Sequence, residues 1–298
     1  MPHHFFLRVG VVGALLVAVA AAYRDVPRPI AWIHVPKTGT TFVNVLTRAA
    51  CDPDVWRFAY ERGTLRSFLR AHDVGELCPG GFSGSGDGDG DGFPSTVGHV
   101  GFAPYRASHM GRGVALFREP RARLASGYLH NYHSYRRRSG EAAPTVGAYA
   151  AALAGCAVRM LARGPGTRGR DGRGDRVPER RSEPCGAAPP PTGAEVAAAI
   201  ATLEELAFVG ITDRWNMTVC LWHATFGGDA DAAELGVHRP SASVSRVTGE
   251  QRAGILRRFA NVTDPYDGPL YSAAARLFER RVADLGLAPE RCAAEGWS

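Results

Sequence analysis

The stretch with the most chemistry in it runs from Ile30 to Leu46, I-A-W-I-H-V-P-K-T-G-T-T-F-V-N-V-L. It joins an apolar run to a helical pattern through a turn holding Lys37, Gly39 and the threonines Thr38, Thr40 and Thr41. Ile30, Ile33 and Val35 suit a buried strand, Gly39 lets the backbone approach a ligand, and Phe42, Val45, Leu46 and Ala49 share one helical face. Free N–H groups at such a helix start, with the positive end of the helix dipole, form a cradle for an anion. Lys37 adds a mobile full charge beside it. The nucleotide triphosphatase order G-x-x-x-x-G-K-[ST] is not met, because here the lysine precedes the glycine.

A second place of this kind lies at Val114 to Tyr135. Another buried strand ends in Arg118, Pro120 stands where a helix favours its first residue, and Leu124, Tyr128, Tyr132 and Tyr135 recur at helical spacing. A guanidinium fork and a hydroxyl donor, here Arg118 and Ser126, both suit a phosphate dianion.

The order Pro36-Lys37-Thr38-Gly39-Thr40-Thr41 resembles the 5′-phosphosulfate loop of sulfotransferases that use PAPS (3′-phosphoadenosine 5′-phosphosulfate). Arg118, Pro120, Arg123, Ser126 and Tyr128, in the pattern R-x-P-x-x-R-x-x-S-x-Y, resemble the 3′-phosphate motif of the same family, in its membrane-associated carbohydrate branch of heparan and chondroitin type. Phe208 to Trp215, F-V-G-I-T-D-R-W, resembles an element that ends a core strand there, and 238–241 and Asp267 to Tyr271 resemble the family's tail more loosely. The likeness extends from Ile30 to Val282, interrupted by two low-complexity loops.

The resemblance implies an α/β, P-loop-like three-layer fold with a central parallel sheet flanked by helices. It assigns the 5′ side of PAPS to Lys37, Thr38, Gly39, Thr40 and Thr41 and the 3′-phosphate to Arg118 and Ser126. The implied reaction is in-line transfer of a sulfuryl group to an acceptor hydroxyl, a glycan's by family default, without a covalent intermediate or a metal. Lys37 and the loop N–H groups would stabilise the charge that develops on the leaving 5′-phosphate. Gly98-His99 matches a family G-H element in which a histidine acts as base, so His99 is the expected catalytic base; a purely structural histidine is the competing reading, and His34, His109, His130 or His133 could serve instead. Two other functions stay open: a P-loop kinase-like enzyme, and a catalytically silent lumenal PAPS-binding protein.

The elements that must position these residues fit within one domain, 30–298, of a chain of 298 residues. The net charge of +6 favours acidic ligands. Nucleic acid is not expected, since neither zinc-finger spacing nor a basic region with heptads is present. The six cysteines include no C-x-x-C pair, which argues against a metal site, and Cys156 and Cys185 bracket an insert that they could close as a loop.

Residues 1–29 read as a signal peptide or signal anchor with a short stem. The uncharged run from Val9 to Tyr23 would reach about 22 Å as a helix, short of a hydrocarbon core of roughly 30 Å unless it recruits Phe5 to Leu7. The family likeness favours a type II Golgi anchor, which makes the membrane a partner and gives Asn216-Met217-Thr218 and Asn261-Val262-Thr263 access to glycosylation.

A Gly/Asp loop at 80–95 mimics the start of an EF-hand but has Gly98 at the twelfth position, and 163–193 is an Arg/Gly/Pro-rich insert. Beyond it the sequence predicts a helix over Glu195–Leu206, a buried strand over Phe208–Ile211 and a helix over Trp215–Phe226. A helix capped by Thr248 and Gln251 should run to Phe259, and a last one from Pro269 should stop at Gly286.

Overall fold

Three short apolar runs make the centre of the fold: β1 (Ala31–Ile33), β2 (Gly113–Phe117) and β3 (Phe208–Ile211). They pair in parallel in the order β1-β2-β3, with Trp32 opposite Val114 and Leu116 opposite Gly210. Every residue of β2 and β3 is buried, as expected of parallel strands covered on both faces. The protein is seen here as a computed structural model that describes residues 31–42, 45–46, 102, 111–135, 141–163, 185, 189–227, 232–235, 248–289 and 292.

Besides the helical residues that follow the β1 loop, eight helices with both ends described accompany the sheet: α1 (Pro120–Leu129), α2 (Val146–Leu153), α3 (Cys156–Ala162), α4 (Gly193–Glu205), α5 (Trp215–Phe226), α6 (Ala232–Leu235), α7 (Gly249–Arg258) and α8 (Asp267–Asp284). The architecture is mixed α/β, a small parallel sheet flanked by helices. Phe42, Val45 and Leu46, helical after the loop that follows β1, are fully buried, and the Phe42 ring packs on Phe208 of β3 and Trp222 of α5. A smaller apolar cluster gathers Leu124, Tyr149, Leu153 and Phe259 between α1, α2 and α7.

Local chemistry explains where the helices begin. Glu119 caps α1 by accepting from Ala122 N at 2.8 Å, with Pro120 first in the helix. Thr192 with Glu195, and Thr248 with Gln251, form reciprocal capping boxes at α4 and α7. At the far end of α8, Gly286 takes a φ of 60° and Leu287 N returns to Val282 O at 3.0 Å.

Two boundaries differ from expectation. The tyrosine spacing predicts a helix running on to Tyr135, but α1 stops at Leu129 and Asn131, Tyr132 and Ser134 take left-handed backbone. Tyr132 still reaches Tyr128 across the turn, with ring centroids 4.9 Å apart, so the aromatic contacts survive without the helix. The Arg-rich insert was expected from Arg163, yet that side chain is pinned: Nη1 donates to Pro189 O at 3.0 Å and Nη2 to Glu195 Oε2 at 3.0 Å. Disulfides join Cys156 to Cys185 and Cys220 to Cys292, the first as the bracketing suggested.

Among the described residues no helix is long and apolar enough to cross a membrane. The expected type II anchor, and the membrane as partner and Golgi placement drawn from it, are corrected to that extent: no described helix supplies an anchor, and the run 9–23 on which they rested lies outside the described residues. The loop 80–95, Gly98-His99, His109, the interior of the insert and 238–241 lie outside them as well.

Candidate functional site

The ends of β1 and β2 bring two cations together. Parallel neighbours finish at the same edge of a sheet, so the loop after Ile33 and the residue after Phe117 meet. Arg118 Nη1 lies 3.5 Å from Lys37 O. Burial first, and then the Arg118 charge, push the Lys37 ammonium down to about 8. Burial likewise holds the Arg118 guanidinium below its ordinary value, Asp213 opposing and Arg252 of α7 adding to the effect. Arg118 Nε is buried without a hydrogen bond; its nearest carboxylate oxygen is Asp213 Oδ1, at 3.9 Å. Asp213 is shared, because its Oδ2 accepts from Glu119 N at 3.1 Å and from the Tyr271 hydroxyl at 3.4 Å. Two half-buried positive groups thus face each other with little compensating negative charge, which is the environment an anion would complete.

The loop between them is built to leave donors exposed to that anion. Thr38 is turned inward: its hydroxyl donates to Val35 O at 2.7 Å, its N–H points to the same oxygen at 3.4 Å, and its own carbonyl accepts from the Thr212 hydroxyl at 2.5 Å. Thr38 shapes the loop, and the N–H groups of Gly39, Thr40 and Thr41 enter no hydrogen bond with protein. Thr40 Oγ1 lies 3.3 Å from Nε2 of the buried His34, which steadies the loop from β1. Gly39 has a φ of 109°, and a Cβ there would sit 3.0 Å from the Trp215 ring, so both the backbone angle and the close packing of α5 require glycine.

Lys37 itself is left-handed, with a φ of 66°. Strain of this sort in a non-glycine residue persists where surrounding contacts over-determine it, often at a ligand clamp. Its aliphatic chain lies against Gly127 of α1, 3.7 Å from where a Cβ would be. Ser126, next to that glycine, is half-buried and its hydroxyl makes no hydrogen bond with protein. Lys37, Gly39, Thr40, Thr41, Arg118 and Ser126 are therefore presented by three elements that converge on one edge of the sheet.

Arg123, the second arginine of the same sequence pattern, points elsewhere. It is 4% exposed, with Nη2 donating to Asp267 Oδ2 at 3.0 Å and to Leu153 O at 3.2 Å. Asp213 and Arg252, which tune Arg118, were not singled out from the sequence; the signal for Asp213 was present in F-V-G-I-T-D-R-W, at the end of β3. A cavity of about 490 Å³ lined by Asp213, Arg214, Trp215, Met217, Leu235 and Cys292 meets this region at Asp213 and includes neither Lys37 nor Arg118.

Comparison with known proteins finds no family model, no curated protein and no solved structure that matches the chain. The resemblance to membrane-associated carbohydrate sulfotransferases is corrected accordingly: it rests on short motifs and does not extend to a family membership, and the descriptors taken from that membership fall with it. What the motif residues do is therefore argued from their own geometry.

Proposed function

We propose that the chain is a group-transfer enzyme whose Lys37–Arg118 cradle binds the phosphates of a nucleotide, and that the nucleotide is PAPS. The sulfuryl group would pass in line to the hydroxyl of an acceptor such as a glycan. The observation that carries the reading is the under-compensated pair itself: a lysine depressed to about 8 and an arginine whose buried Nε makes no hydrogen bond, both at the edge where the β1 loop leaves its N–H groups open. A donor with phosphates at both 3′ and 5′ positions needs two separated anion contacts. Lys37 with the N–H groups of Gly39, Thr40 and Thr41 would serve the 5′ side, and Arg118 with the Ser126 hydroxyl the 3′ side. As the sulfuryl group departs, charge grows on the 5′-phosphate oxygen, where a preorganised ammonium and backbone dipoles act most strongly.

A P-loop-like three-layer arrangement belongs to the same proposal. Its support is the parallel order β1-β2-β3 and the helical start at Phe42 directly after the loop.

Titration calorimetry with PAP (adenosine 3′,5′-bisphosphate), 5′-AMP and ATP with magnesium tests the reading. The wild type should prefer PAP. Arg118→Ala should weaken PAP about ten- to a hundredfold, the worth of one charge-assisted contact, and should hardly change 5′-AMP. A wild type that prefers ATP with magnesium would replace this reading with the kinase-like one, and PAP binding without turnover of PAPS would make the chain a silent binder.

A further inference from the structure

Among the described residues four that are not glycine take left-handed backbone: Lys37, Asn131, Tyr132 and Ser134. All four belong to two segments that meet at Gly127. Lys37 lays its chain against that glycine, and the Gly127 carbonyl accepts from both His130 N at 3.1 Å and His133 N at 3.0 Å. A side chain at Gly127 would collide with the Tyr149 hydroxyl, which donates to His133 O at 2.9 Å and fixes the turn from the α2 side. The imidazoles of His130 and His133 stand 5.7 Å apart, centroid to centroid. Backbone strain and close packing together thus hold His130 beside the lysine of the anion cradle, with His133 next to it.

We propose that His130, held beside Lys37 by the left-handed turn that ends α1, is the base that takes the acceptor's proton in the sulfuryl transfer. The assignment rests on the reading given above and competes with the expectation for His99, which lies outside the described residues. In the step, the acceptor oxygen forms a bond to sulfur while the bond from sulfur to the 5′-phosphate oxygen breaks. PAP leaves with that electron pair, and the acceptor's proton passes to a ring nitrogen of His130. The base has to be neutral to do this. Burial, and after it the Lys37 charge, lower the His130 pKa and keep the ring unprotonated at neutral pH. The other titratable groups around it are His133 in its own turn and Tyr149 from α2.

Histidine-labelled protein followed by NMR provides the test. His130 should titrate below its ordinary 6.5 in the free protein, and Lys37→Met should raise that value. PAP should raise it too, since the bound anion offsets the lysine. His130→Gln should bind PAP within about threefold of wild type yet release PAP from PAPS about 10²- to 10⁴-fold more slowly, with the acidic limb of the pH profile lost; His133→Gln should keep that limb. Absence of PAP binding would remove the sulfuryl-transfer reading as a whole. If PAP binds but leaves the His130 titration unmoved, or if His99→Ala stops turnover while His130→Gln does not, the role of His130 alone is overturned.

Discussion

Arg118 and Arg123 stand five positions apart at the start of one helix, and the surroundings of the two could hardly differ more. Arg123 enters a closed clamp: Asp267 accepts from it at 3.0 Å, Asp264 lies at 3.7 Å, and the same two carboxylates accept N–H bonds from Gly155, Ala157 and Val158 at the start of α3. Burial pushes the Asp267 carboxyl up, and the Arg123 guanidinium opposes it. Every charge in the clamp has partners, and it joins α1, α3 and α8. Arg118 enters an open one, with Lys37 beside it and a shared Asp213 at 3.9 Å. A buried charge that is fully paired stabilises a particular arrangement of elements, whereas one left short of partners is held in place by the rest of the fold and is ready for a ligand.

The sharpest way to break this comparison is at the clamp. Asp267→Ala leaves Arg123 buried without its main partner and also orphans two N–H groups of α3, so it should destabilise the protein by about 3–5 kcal/mol in denaturant unfolding. A loss below about 1 kcal/mol would mean that the clamp is as open as the cradle.

At the cradle the effect should fall on turnover and reverse for stability. Lys37→Met should slow PAP release from PAPS by about 10²-fold or more, because the missing charge is needed most as the phosphate oxygen leaves. The same variant should melt higher at pH 7. With a folded value near 8 against an ordinary 10.5, the unfolded chain binds more protons between those limits. Stability of the wild type should therefore rise with pH across that window, the burden of the buried ammonium being present in full below pH 8. Discounted for its partly exposed position, that burden is about 1 kcal/mol, and Lys37→Met should remove both it and the alkaline rise. A lower melting point would show that Lys37 supports the fold instead.

The smallest effect is expected from the insert. Deleting 165–181, which spares Arg163 and Cys185, should change unfolding free energy and PAP affinity by less than about 0.5 kcal/mol, as loop length adds little closure entropy. A larger loss would extend the clamp's closed character into the insert.

The difference between the two arginines was not readable along the chain, because Asp264 and Asp267 lie more than a hundred positions from the backbone they hold at the start of α3 and pattern reveals only near neighbours. Caps were readable, since they are local: Thr248 with Gln251 sets the start of α7 as its spacing predicts. The strands were readable from apolar runs bounded by Lys37 and Arg118, and Trp215–Phe226 forms the helix its pattern predicts. Helices α2 and α3 carry few charges to mark a polar face, and the signals that delimit them, the Thr145 cap and the left-handed Gly155 between them, were passed over. The early end of α1 had a trace in Asn131, a residue that tolerates left-handed backbone, but the tyrosine spacing outweighed it. Of the cradle, the residues were readable and the left-handed Lys37 was not, since a lysine carries no local preference for that conformation.

The bond between Cys156 and Cys185 makes the intervening chain a covalent ring. A protease that cuts once anywhere inside it severs the main chain but releases nothing: both pieces remain one molecule, with α3 still joined to the segment that leads into α4. Such a nicked protein should migrate as a single species until a thiol is added and as two fragments afterwards, so cleavage of the insert would leave β1 and β2 covalently joined to the fragment that carries β3 and Asp213.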